Sequence, residues 1–337
     1  MLQMNNDFQQ QGTRPPQAAP IPQATPMPTE QQAAPIPQAT PMPTAQQTAV
    51  PPPPAQFNPN FQNQFGGGGP KPFPKGLLKI IGIFAVALVL ITVIIIAIYS
   101  VRFRPEELTL PQGVKLKMVM VPAGSFQRGR QTVTLTKPFY LGKFEVTQAQ
   151  WKAVMGSNPS GFKGDNLPVE CVSWHDAKEF CKKLNEIYAD KLPAGYRFDL
   201  PTEAQWEYAC RAGTTTALNN GKDLTSSDGR CVNLNEVAWY YQNSGAGTHR
   251  VGQKRANAWG LYDMHGNVWE WCRDLYGSYP YGSVTNPVGP SSGSYCVIRG
   301  GSWFYDADGC RSADRHGDVP SRRNRSGGFR LALVPIQ

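Results

Sequence analysis

The rhythm of hydrophobic and polar positions changes several times along this 337-residue chain. Residues 80–99, IIGIFAVALVLITVIIIAIY, carry no charge, and Thr92 is the only break in the apolar run. Twenty residues at about 1.5 Å each span about 30 Å, the hydrocarbon thickness of a bilayer, which predicts one transmembrane helix within 77–102. Beyond it, KMVMVPAGSFQRG alternates and predicts strand, turn, strand, and TLTKPFYLGKFEV predicts a further strand. Capping residues then place helices. Thr147 with Gln150 opens one before Trp151, and Gly156 stops it. Ser173 with Asp176 opens the next, whose apolar stripe is Ala177, Phe180, Cys181 and Leu184. Thr202 with Gln205 opens a third, which carries Trp206, Ala209 and Cys210 and ends near Gly213. From there to the C-terminus regular signals fade. Side-chain hydrogen bonds, aromatics or metal must satisfy that backbone.

Composition draws the boundaries. AAPIPQATPMPTEQQ (18–32) is followed directly by AAPIPQATPMPTAQQ (33–47), and a proline run and a glycine run come next. Prolines this dense block both helix and ladder, so residues 1–76 are expected to be a disordered, extended spacer or a ligand for a proline-reading domain. All eight Trp and all seven Cys lie beyond residue 150, which predicts one globular domain over 109–337. The net charge is +9, but the basic residues are scattered and none of the basic runs is interleaved with stacking aromatics. No nucleic-acid partner is expected. Lys71, Lys75 and Lys79 precede the apolar run, and Arg102 and Arg104 follow it. This favours a single-pass protein with a cytoplasmic N-terminus and the C-terminal domain outside the cytoplasm. The cysteines form no CxxC and no zinc spacing and read mostly as small buried side chains.

Six stretches taken together resemble one family. They are MVMVPAGSFQRG, FEVTQAQWKAVMG, LPVECVSWHDAKEFCKKLNE, YRFDLPTEAQWEYACRAG, NAWGLYDMHGNVWEWCRDLYG, and VIRGGSW with the later CRSADR and GGFRLAL. They cover nearly all of 113–335 in the order found in the formylglycine-generating, or sulfatase-modifying-factor, family. The resemblance implies an α+β, C-type-lectin-like fold with small twisted sheets and much irregular structure. It also implies an oxidase acting on protein cysteine, whose two cysteines hold copper as thiolates shortly after the Gly-Gly-Ser. Here that interval reads WFYDADGC, with Tyr305 where the first cysteine belongs; Cys296 comes too early and Cys310 too late. No copper site is expected. The related sulfoxide synthases need a histidine-rich bundle, which the four histidines of this chain cannot supply. His265 reads as a structural turn residue. The resemblance also implies a structural calcium held by Asn267, Val268 and Glu270, which HGNVWEW would bring into one tight turn. The other reading is that Asn267 caps a turn and Glu270 pairs with an arginine.

The segment from Gly300 to Leu331 divides into two alphabets. Gly300, Gly301, Ser302, Trp303, Ala307, Cys310, Arg311, Ser312, Ala313, Arg315, Pro320, Arg323 and Gly328–Leu331 form a framework. Trp303 is expected to be a large buried anchor, and Arg311, Arg315 and Arg323 are expected to pin loops through bidentate bonds. Phe304, Tyr305, Asp306, Asp308, Gly309, Asp314, His316, Gly317, Asp318, Val319, Ser321, Arg322, Asn324, Arg325 and Ser326 are interspersed, and each is encodable by a codon ending in C. This is similar to the variable proteins of diversity-generating retroelements, such as phage receptor-binding tip proteins, which mutate adenines in asparagine codons. The mixture of aromatic and short polar residues resembles a paratope. The expected binding residues are Phe304, Tyr305, Asp306, Asp308, Asp314, His316, Asp318, Ser321, Arg322, Asn324 and Arg325. The expected function is a membrane-anchored, non-catalytic display protein that binds a protein or glycan. The competing class is the oxidase.

Overall fold

The computed structural model describes residues 105–336. The spacer at 1–76 and the expected membrane segment at 77–102 lie outside these residues. Among the described residues, no helix is long and apolar enough to cross a membrane.

The predicted caps form. Helices α1 (Gln148–Met155), α2 (Trp174–Ile187) and α3 (Glu203–Arg211) each begin with a complete capping box, on Thr147, Ser173 and Thr202. Each box satisfies two backbone donors that a helix start leaves orphaned. A short turn of helix, α4, covers Val232–Asn235.

Strands β1 (Glu107–Thr109), β2 (Lys115–Val121), β5 (Phe139–Gly142), β6 (Tyr196–Asp199) and β14 (Ala332–Pro335) form a five-stranded antiparallel sheet ordered β1-β2-β5-β14-β6. The first strand begins just ahead of the boundary expected at 109. β3 (Gly124–Arg128), β4 (Gln131–Leu135) and β10 (Val284–Thr285) form a second, small sheet. The strand expected over TLTKPFYLGKFEV is therefore two strands, β4 and β5, in different sheets. Pro138 stands at the break, where it can give no ladder hydrogen bond.

The last strand lies inside the five-stranded sheet, between β5 and β6. Leu331 and Leu333 face a core with Trp151, Phe180 and Phe329, while Ala332 and Val334 face another with Phe139 and Trp206. Alternate residues thus fill opposite faces, and the sheet is buried on both sides.

The region without periodicity also holds strands. β7 (Ala238–Trp239) pairs with β8 (His265–Gly266). β9 (Trp269–Leu275), β11 (Cys296–Arg299), β12 (Arg315–Asp318) and β13 (Gly327–Gly328) form a four-stranded sheet ordered β12-β11-β9-β13. Side chains secure the rest, as expected. Asn257 Nδ2 donates to the carbonyls of Ala209 and Cys210 at the end of α3, and its Oδ1 accepts from the N–H groups of Trp259 and Leu261.

Candidate functional site: a groove over the four-stranded sheet

Period-two alternation gives β9 two chemically different faces. Trp269 and Trp271 point to one face, where they floor a groove of about 380 Å³ with Ile298 of β11. Glu270 points to the other face, into the interior. The groove walls come from the interspersed set. Phe304, Tyr305, His316, Asp318, Arg322 and Asn324 line it, together with Gly317 and Ser326. Tyr305 and His316 meet the Trp269 ring edge-on, each with centroids 5.1 Å away. Phe304 is 59% exposed and packs edge-on against Trp303 and Tyr241. His316 Nε2 lies 3.4 Å from the Asp314 carboxylate, and this pairing raises the imidazole pKa. The groove thus offers aromatic faces beside one carboxylate, Asp318, and one guanidinium, Arg322, which stand 3.5 Å apart.

The other expected binding residues lie outside this groove. Asp308 is held by Arg311, and Asp314 serves Arg311 and His316. Arg325 lies over the Phe162 ring, and its carbonyl accepts from the Trp303 indole. Asp306 and Ser321 are exposed beyond the lining. Trp269 and Trp271 were not among the expected residues. Their signal was the W-x-W spacing within HGNVWEW, which is strand periodicity.

Burial separates the two alphabets only in part, since Ala313 and Arg323 of the framework are exposed and Trp303, Arg311, Arg315 and Pro320 are half-buried. None of the fifteen interspersed positions is buried, whereas Gly300, Gly301, Ser302, Ala307, Cys310, Ser312 and Gly328–Leu331 all are. Gly301 has φ 76°, and a Cβ there would stand 2.5 Å from Cys310 Sγ. Arg315 grips Glu203 through two bonds of 2.6 and 2.9 Å, and Arg323 grips Asp176 through two of 2.8 Å. Arg311 pins only its own turn, through Asp308. Trp303 is half-buried rather than buried, with its ring edge-on to Phe162. Trp303→Ala is therefore expected to cost less than Trp206→Ala in a urea melt. Trp206 is fully buried and falls in the range of about 3–5 kcal/mol for a buried Trp.

At the residues expected to hold calcium, the same strand shows the other reading, an arginine partner for Glu270. HGNVWEW is not one tight turn. It turns at Asn267, which has φ 57°, and continues as β9. Both Glu270 oxygens accept from Arg330 at 2.6 Å, and Oε2 also accepts from the Trp206 indole at 2.7 Å. Asn267 Oδ1 accepts from the His249 N–H, and its Nδ2 donates to Glu145. The donor set does not fit a calcium ion, because its one carboxylate already neutralises a buried guanidinium. His265 has the structural role read from the sequence. Nδ1 bonds the Cys310 carbonyl at 2.6 Å and Nε2 accepts from the Asn219 N–H at 3.1 Å, which fixes a neutral tautomer. Burial lowers its pKa to about 4.

All seven cysteines are free, and Cys171 alone is not buried. Neither Cys296 nor Cys310 lines the groove. Burial pushes the Cys310 thiol up and the Cys296 thiol to about 11, so neither is poised as a thiolate.

On the interior side of β9, burial raises the pKa of Asp274 to about 7. Its folded value lies above its unfolded one, so the contribution to stability is complete below the unfolded value and is lost as pH rises through about 7. Between pH 5 and pH 8 the loss is about 2–3 kcal/mol. Asp274→Asn is expected to remove that part of the decline, which urea melts across this window will measure.

The profile described as a sulfatase-modifying factor enzyme 1-like domain matches residues 107–334. Chaperone protein LppX of Paenibacillus barcinonensis is 35% identical, over 55% of this chain and 78% of its own length. The formylglycine-generating enzyme of Mus musculus is also 35% identical, over 56% of this chain and 50% of the enzyme, so the chain spans half of that relative. Among solved structures, Treponema denticola variable protein 1 superimposes with a TM-score of 0.62 and 34% identity, over 68% of this chain and 98% of that one. PvdO from Pseudomonas aeruginosa superimposes with a TM-score of 0.54 and 25% identity, over 68% and 99%. With its lectin-like α+β fold, its three capping boxes and a profile match running from β1 into β14, the chain belongs to the sulfatase-modifying-factor family.

Proposed function

We propose that this chain is a membrane-anchored display protein whose lectin-like domain binds a protein or glycan ligand, without catalysis, through the groove floored by Trp269 and Trp271. One observation carries the reading. The interspersed residues of 304–326 are all at least partly exposed, and eight of them line a single groove, while Ala307, Cys310 and Ser312 among them and the flanking Gly300–Ser302 and Gly328–Leu331 are buried. Such a division lets the surface change without altering the core. The likeness to the Treponema denticola variable protein supports it. The test is the coding locus. A near-copy of the segment encoding 300–331, with adenines at the interspersed codons and a reverse transcriptase beside it, is expected. A locus with neither removes the variable-protein reading.

The mouse relative favours a second reading, the cysteine oxidase. Tyr305 at the first cysteine's place and buried thiols away from the groove argue against it. Purified chain supplied with copper, oxygen and a cysteine-containing sulfatase peptide is expected to form no aldehyde. Turnover abolished by Cys310→Ser restores the oxidase.

For the anchor, the run at 80–99 and its flanking lysines support a cytoplasmic N-terminus. Tyr281 is fully exposed, so Tyr281→Cys is expected to react with an impermeant maleimide on intact cells. Reaction only after lysis reverses the orientation.

A further inference from the structure

The four-stranded sheet has chemistry on both faces. His316 faces the groove, whereas its neighbour Arg315 reaches the opposite side. There a separate cavity of about 480 Å³ lies between β4, β10, the end of β9 and the loop that follows β9. It is larger than the groove and within the size of small-molecule sites. Much of its wall is apolar, formed by Pro280, Val284, Pro287, Val288 and Pro290.

One end of the cavity is polar. Arg128 is 9% exposed; its Nε bonds Glu207 at 3.1 Å, and its guanidinium lies 4.3 Å over the Tyr279 ring. Its Nη2 is buried and meets no hydrogen-bond partner among the described residues. Gln131, 8% exposed, donates from Nε2 to the Pro280 carbonyl, and its Oε1 is also buried without a partner. Both residues line the cavity. A buried donor and a buried acceptor left unmatched on residues paired across one hairpin are costly, and native proteins rarely keep them without a reason.

Charge gives the sign of what fits. Arg128, Arg211 and Arg299 converge on Glu207, and Arg315 grips Glu203. These four guanidiniums exceed the two glutamates, and the excess remains even when Asp274 is ionised. A single free guanidinium edge suits a monoanion; a phosphate dianion requires more donors.

We propose that this cavity is a binding site for a small organic carboxylate, with the carboxylate on Arg128 Nη2, a donor group of the ligand on Gln131 Oε1, and an apolar body against the proline-rich wall. The site is independent of the display groove and stands whether or not the groove binds as proposed.

The probes are 4-hydroxybenzoate and 6-hydroxyhexanoate, with 4-hydroxybenzyl alcohol and 1,6-hexanediol as uncharged matches that keep the donor, titrated into the full chain in nanodiscs and followed by saturation-transfer NMR. Saturable binding of the carboxylates, at least tenfold tighter than the alcohols, is expected. Arg128→Met is expected to weaken it tenfold or more. Val288 is 44% exposed at the cavity wall, so Val288→Trp fills the space without touching the charge network and is expected to abolish binding. Arg322→Asn, in the groove, is expected to leave binding unchanged. Carboxylates that bind no tighter than the alcohols overturn the proposal. So does carboxylate binding retained in Val288→Trp, which decides the matter if Arg128→Met does not fold.

Discussion

Arg330→Met is expected to lower the unfolding free energy by about 3–5 kcal/mol, the typical consequence of leaving one partner of a buried ion pair alone. Arg330 is fully buried, and so is Glu270 to within 1%. The guanidinium gives Glu270 two bonds of 2.6 Å, and it donates to the carbonyls of Gly142, Tyr262 and Asp263. One side chain thereby ties β5, the segment before β8, and β9 together. Methionine fills similar volume but leaves the Glu270 carboxylate in a low-dielectric interior beside Glu145, whose own carboxyl is pushed well above the usual range by burial and by the nearby Asp263 and Glu270 charges. Adding Glu270→Gln to Arg330→Met is expected to recover part of the loss, because the stranded charge is removed. Urea melts of the single and double variants measure both effects. A loss below about 1 kcal/mol in Arg330→Met would show that the interior is wet enough to solvate Glu270.

Glu207→Ala is expected to be as severe. Glu207 is 1% exposed and accepts from Arg128 at 3.1 Å, from Arg299 at 2.7 Å, and from Arg211 at 3.0 and 2.9 Å. Arg299 itself has no exposure, and it also donates to the carbonyls of Ser312, Ala313 and Asp314. Through Arg299, Glu207 on α3 braces the middle of the 300–331 segment from behind. Alanine leaves three buried or nearly buried guanidiniums around an uncharged site, at a cost of about 3–5 kcal/mol or more. Glu207→Gln keeps an acceptor and is expected to cost less. Equal losses in the two variants would mean that shape rather than charge dominates at this site.

How much of this could be read beforehand followed from the range of the interactions. The caps on Thr147, Ser173 and Thr202 were legible because a capping box closes within three residues. Strands β2 and β3 were legible because each alternates. β9 and β11 were not, because β11 is buried along its whole length and β9 over most of it, so the alternation between their faces is hidden. That concealment also made HGNVWEW look like a turn able to hold calcium, when Glu270 is the partner of an arginine sixty positions away. The rim of the groove was legible as an alphabet, since Phe304, Tyr305, His316 and Arg322 stand between framework residues. Its tryptophan floor comes from a strand some thirty-five residues earlier in the chain, and no local pattern joins the two. Arg323 illustrates the same limit. Its role as a pin was expected, but its partner Asp176 lies 147 residues away.

If the groove is a display surface, its rim supplies binding and contributes little to folding. The direct test is a urea melt of the full chain carrying Phe304→Ser, Tyr305→Ser, His316→Asn, Asp318→Asn and Arg322→Asn together. These side chains are exposed or only partly buried, and each such change typically shifts stability by about 0.5 kcal/mol or less, so a total loss of no more than about 2–3 kcal/mol with a cooperative transition is expected. A loss of about 5 kcal/mol or more, or a chain that no longer folds, would show that these residues belong to the core of the domain and would contradict the display function.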